Sequence, residues 1–140
     1  METVHSKLNN FKEINKNKFN AEKPKYLKLQ IVPFPKPQND LDEKINQMYK
    51  SWKEEIKLLS DVCVWHPRDS VEIEFVIPFP NKMIKKKKAK LNDQPHKEFP
   101  DIHDLLSAFF EALNFDEGQV WRFVNIKKVW GENGQIILKR

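Results

Sequence analysis

Residues 39–60, NDLDEKINQMYKSWKEEIKLLS, place Leu41, Ile45, Met48, Tyr49, Trp52, Ile56 and Leu59 at steps of three and four. That spacing gathers the apolar side chains on one stripe of an α-helix and leaves its other faces charged. Asn39 and Asp40 are the candidate N-caps. A helix this one-sided has to lie on an apolar surface, and two stretches of alternating residues can provide one. YLKLQIVPF, residues 26–34, points Leu27, Leu29 and Ile31 one way and ends at Pro33 and Pro35. SVEIEFVIPF, residues 70–79, sets Val71, Ile73, Phe75 and Ile77 against Glu72 and Glu74, with Pro78 and Pro80 closing it. Both read as strands.

A second helix opens at Asp101, carries the stripe Ile102, Leu105, Leu106, Phe109, Phe110 and Leu113, and stops near Asn114. Residues 81–100 show no periodicity and read as a polar loop. QVWRFVNIKKVW, GENG and QIILKR, from residue 119 to the C-terminus, read as a closing hairpin. The order strand, helix, strand, loop, helix, strand, strand predicts an α+β fold, a small mixed sheet packed with two main helices.

Length allows one domain, residues 25–140, with a real core. Residues 1–24, rich in Asn and Lys, read as a loosely ordered arm. Cys63, alone in VCVW, excludes an internal disulfide; it suits a reducing, cytoplasmic setting as a small buried hydrophobe. No apolar run approaches the roughly 20 residues that span a bilayer. Three glycines leave no glycine-rich phosphate loop. Trp52 and Trp65 read as core, Trp121 and Trp130 as hairpin residues with an interface role open to them. His5 and His66 carry no motif.

The chain has 25 Lys and Arg against 20 Asp and Glu, a formal charge of +5. The surplus is concentrated: Lys82, Lys85, Lys86, Lys87, Lys88, Lys90 and Lys97 share their stretch with one acid, Asp93. Such a run is either a solvated loop or a phosphate-contacting one whose affinity falls with salt. Carboxylates follow immediately, and they repel phosphate unless a cation stands between. Asp101, Asp104, Asp116 and Glu117 offer the hard oxygen ligands that Mg²⁺ accepts; such an ion polarises a phosphodiester and activates a water. The plain alternative is that Asp101 caps the helix, Asp104 completes a capping box, and Asp116 and Glu117 lie in a turn.

The run from VEIEFVIPFP through KKKKAKLNDQPHKEFPDIHDLLSAFFEAL to DEGQV, roughly residues 70–126, resembles the RusA family of Holliday junction resolvases, especially its phage-borne members. The family shows a strand ending in a P-x-P-like step, a lysine-rich segment, Q-P-H, a P-D-[IL]-D-N-L helix start and a D-D-x-Q-[VI] turn. IVPFPKPQ resembles its N-terminal strand more weakly. The resemblance implies a homodimeric, Mg²⁺-dependent endonuclease, Mn²⁺ being an alternative ion, that cuts four-way DNA junctions in the cytoplasm of a bacterial or phage-infected cell. Asp101 matches the first motif aspartate, a metal ligand, and Asp116 and Glu117 match the acidic pair. Lys85 to Lys88 and Gln94, Pro95 and His96 match the segments expected to approach DNA.

Two positions depart from the family pattern. His103 stands where the second motif aspartate is expected, and Ser107 where the helix lysine is. His103 retains ligand chemistry, although imidazole suits Zn²⁺ or Mn²⁺ better than Mg²⁺. Asp104 offers a carboxylate one position later, about 100° around the helix. The expected metal set is therefore Asp101, His103, Asp116 and Glu117, with Asp104 joining the catalytic acids. The apolar helix faces and C-terminal strands are candidate dimer contacts. These departures also support a second reading, a RusA-like protein that binds branched or duplex DNA without cutting.

Overall fold

The structure, a computed structural model, describes residues 26–38, 42–63, 65, 67 and 70–139. The N-terminal arm, the cap candidates Asn39 and Asp40, Leu41, His5 and His66 lie outside the described residues. Chain order is β1 (Tyr26–Leu29), α1 (Glu43–Cys63), β2 (Ser70–Pro78), α2 (Lys85–Leu91), α3 (Ile102–Ala112), a 3-10 turn (Glu117–Gln119), β3 (Arg122–Gly131) and β4 (Gln135–Lys139). The fold is α+β, with a four-stranded mixed sheet in the order β1-β4-β2-β3. β2 runs parallel to β3 and antiparallel to β4, and β4 runs antiparallel to β1.

Alternation along the strands sorts the two faces of the sheet. Leu27, Leu29, Val71, Ile73, Phe75, Ile77, Ile136 and Leu138 are buried with Trp52, Ile56 and Leu59 of α1 and Leu105, Phe109 and Phe110 of α3. The other face is polar: Lys127 pairs with Glu74 at 3.1 Å and Lys139 with Glu72 at 3.4 Å. Ile45 and Met48, placed on the α1 stripe by spacing, are exposed, because the buried part of α1 begins at Tyr49. Asp42 caps the helix, its Oδ1 accepting from the Ile45 amide at 3.1 Å.

The closing hairpin does not form. Gly131 lies level with Pro78 on one side of β2, and Gln135 lies opposite Val76 on the other. Residues 132–134 therefore arch over the end of β2. Two properties of β2 explain this. Val76 and Ile77 are buried beside Phe75, so this strand takes the centre of the sheet with a neighbour on each side. Pro78, lacking an N–H, ends the ladder and leaves room for the arch. Gly134 fits there because a Cβ would come within 3.0 Å of the Val32 backbone and 2.7 Å of its side chain.

Residues 81–100 are more ordered than a polar loop. The lysine run folds as α2, and the stretch after it turns through Asp93 (φ 64°) onto the outer edge of β3. There Asp93 N donates to Trp130 O (2.9 Å), Trp130 N to Gln94 O (3.0 Å) and His96 N to Lys128 O (2.9 Å). An edge strand has backbone groups to satisfy, and this segment satisfies part of them. α3 ends as the sequence predicts. Asn114 takes a left-handed conformation (φ 53°), Phe115 N reaches Phe110 O, Asn114 N reaches Glu111 O, and the Phe110 and Phe115 rings lie 5.7 Å apart. These are the bonds and the apolar contact of a Schellman cap.

Candidate nucleic-acid surface and carboxylate site

α2 and the turn before it present the basic residues. Lys82, Lys85, Lys86, Lys87 and Lys90 are exposed, Lys88 is half-exposed, and the helix buries nothing. Like charges three and four positions apart, such as Lys86 with Lys90, disfavour a helix by a few tenths of a kcal/mol per pair. A row of phosphates would relieve that repulsion. Lys97 is exposed on the segment leading to α3. His96, expected to approach DNA, is only 5% exposed. Its ring lies 4.2 Å from that of Trp130, tilted against it, and Trp130 also stacks on Phe79 at 5.6 Å. Nδ1 of His96 has no hydrogen-bond partner among the described residues. Burial, and then the neighbouring Lys128 ammonium, hold this imidazole below its ordinary pKa, with Glu98 opposing. His96 is therefore a neutral packing residue that fixes the basic segment to the sheet. Trp130, in the same stack, is likewise buried instead of lying at a hairpin tip.

The acids have separate circumstances. Asp101 occupies the N-cap position of α3 but makes no side-chain cap hydrogen bond, and it is exposed. The capping box expected with Asp104 is absent. Asp104 instead accepts from Gln38 Nε2 at 3.0 Å while its carbonyl accepts from Lys36 N, so it straps the IVPFPKPQ segment to α3. His103 is exposed, and Ser107 is half-exposed. Asp116 caps the 3-10 turn, Oδ1 accepting from Gly118 N at 2.9 Å, with half-buried Glu117 following.

Lys128 is the site residue that pattern reading missed. It lies in β3 opposite Phe75, so its side chain leaves the sheet on the helix-covered face. Its Nζ donates to the carbonyls of Glu98 and Pro100, both at 2.6 Å. Burial lowers its pKa, while the carboxylates of Asp101 and Glu98 act to raise it. One cation thus anchors the turn into α3 beside the Asp101 carboxylate, which makes no side-chain hydrogen bond among the described residues. The available signal was a lysine between Ile126 and Trp130, on the apolar register of a strand.

No protein family, curated protein or solved structure matches this chain.

The donors are carboxylates, the class Mg²⁺ takes, and that ion needs only one or two of them besides waters and a substrate phosphate. Among the described residues no three His, Cys, Asp or Glu side chains are gathered to hold an ion. Asp101, His103, Asp116 and Glu117 are therefore not part of any such group of three. Asp104 and Asp116 each have one carboxylate oxygen occupied by a protein donor. The side chains of Asp101 and Glu117 make no hydrogen bond among the described residues, and Asp101, the more exposed of the two and set at the start of α3, fits a substrate-completed site.

Of the candidate dimer contacts, most of the apolar faces of α1 and α3 and the inward residues of β4 are buried in the core, while Ile45 and Met48 of α1 are exposed. No helix among the described residues is long and apolar enough to cross a membrane.

Proposed function

We propose that this chain is a RusA-like endonuclease that holds branched DNA with α2 and cuts it with Mg²⁺ at Asp101. The observation that carries the reading is the state of Asp101: it stands at a helix start, leaves its capping duty unfilled, and has Lys128 beside it. An aspartate in that position ordinarily caps the helix, so its release favours another use. Sequence order supports the same conclusion, with the lysine run, Q-P-H, P-D and D-E-x-Q following one another as in the RusA family.

In this reading the lysines of α2 and Lys97 neutralise backbone phosphates, each contact adding to a salt-dependent affinity. Lys128 holds the turn before α3, so that Asp101 keeps its position when DNA arrives. Mg²⁺, bound by Asp101 together with a phosphate oxygen, would supply charge stabilisation at the scissile group. Two symmetric cuts would require a second copy, as in homodimeric resolvases.

Incubation of the full chain with a labelled synthetic four-way junction and Mg²⁺ or Mn²⁺ tests this. Nicks should appear, vanish with EDTA, and fall at least 100-fold in Asp101→Asn while junction affinity stays within a few-fold. Tight binding without product under either ion would instead establish the noncutting reading, which the replacements at His103 and Ser107 favour.

A further inference from the structure

Three of the four tryptophans have evident structural work. Trp52 Nε1 donates to Val32 O, Trp65 Nε1 donates to Lys139 O, and Trp130 stacks on Phe79 and meets the tilted His96 ring. Trp121 is different. It is 73% exposed, and its indole enters no ring stack or side-chain hydrogen bond among the described residues. Exposing a large aromatic ring forfeits burial that could stabilise the fold. The next residue, Arg122, is exposed and forms no ion pair among the described residues. Half-exposed Phe123 and Val124 continue the patch.

The backbone here is open as well. The segment after α2 covers the outer edge of β3 only opposite Lys128, Val129 and Trp130. Val124 is an extra residue in the ladder, because Phe123 pairs with Val71 and Asn125 with Glu72. Such a bulge bends an edge and discourages another strand from adding to it. Antiparallel pairing of two copies over residues 122–127 would also set Arg122 against Lys127. The patch is thus aromatic and cationic, poorly suited to a copy of itself, and immediately follows the turn of Asp116 and Glu117.

We infer that Trp121 and Arg122 form a platform for an unpaired base of a DNA strand, the indole stacking on the base and the guanidinium meeting its phosphate. This rests on the DNA-binding reading and narrows its ligand to DNA with unstacked bases, as at a branch point. An indole accepts any base face and so recognises disrupted stacking without reading sequence.

The test titrates the full chain with a mixed-sequence single-stranded oligonucleotide, the matching blunt duplex, and heparin as a charge-only polyanion. Tryptophan emission is compared between wild type and Trp121→Phe to isolate the Trp121 signal. The single strand should quench that signal, and duplex and heparin should not. Trp121→Ala should weaken single-strand binding about 10-fold while leaving duplex affinity unchanged, and Trp121→Phe should retain most of the affinity. Equal quenching by all three ligands overturns the platform, as does wild-type affinity in Trp121→Ala. So does an emission change with protein concentration alone, which would make the patch a contact between copies. If duplex binds through α2 and no ligand senses Trp121, the platform alone is lost; if no nucleic acid binds, both readings fall together.

Discussion

Lys128 and His96 show how single side chains fix the turn that carries Asp101. Replacing Lys128 with Met removes the donor to two carbonyls at once. Lys128→Met should cost roughly 1–3 kcal/mol in urea unfolding, the penalty of leaving such acceptors unpaired. Stability unchanged in that variant would contradict the anchoring role. His96 gives a pH signature. Its folded pKa lies below the ordinary 6.5, so the unfolded chain binds more protons in that range. Its contribution is therefore fully present above about pH 6.5 and is lost as pH falls through the lower folded value. The urea midpoint should drop more between pH 7 and pH 5 in wild type than in His96→Phe, which keeps a ring beside Trp130 without an orphaned nitrogen. Neither residue was legible from pattern. His96 is buried only because its segment pairs with the β3 edge, and Lys128 is engaged only because the turn before α3 comes to meet it.

At the scale of elements, periodicity located every long segment, and its failures have physical causes. Helices α1 and α3 and the strands β1 and β2 follow from apolar spacing, because their burial is regular, and in all but the end of β2 it is one-sided. α2 escaped notice because it buries nothing, so no apolar period marks it; its helicity comes from the intrinsic preference of Lys, Ala and Leu. The false hairpin arose from a local signal, Asn-Gly after Trp130, whereas the actual partner of both β3 and β4 is the more apolar β2. Glu111 ties α3 to α1 and to the strap before it, accepting from Tyr49 Oη at 3.0 Å and pairing with Lys53 at 3.1 Å and Lys36 at 3.3 Å. Burial would push its carboxyl up, but the bonds from Lys53, Tyr49 and Lys36 outweigh that and hold it below the usual range. The apolar layer beneath is worth more than these half-exposed pairs. Phe109→Ala should lower stability by about 3–5 kcal/mol, against under about 1.5 kcal/mol for Glu111→Gln. Equal costs in chemical denaturation would reverse that ranking.

Across the whole molecule, one face of the sheet is sealed by α1 and α3, and the flank along β3 gathers the distinctive chemistry. The α2 lysines stand at one end, Lys128 and Asp101 beside the α3 start, and Trp121 with Arg122 where β3 begins. In the proposed function, cutting would use Asp101 and an ion once α2 has met backbone phosphates, so the most direct measurement is the salt dependence of four-way junction binding. Wild type should lose affinity steeply with salt. Replacing Lys85, Lys86, Lys87 and Lys88 together by Gln should flatten the plot of log affinity against log salt by about 0.9 for each phosphate contact removed, about 3 or more in all. An unchanged slope in that variant, or junction binding indifferent to salt in wild type, would contradict the account.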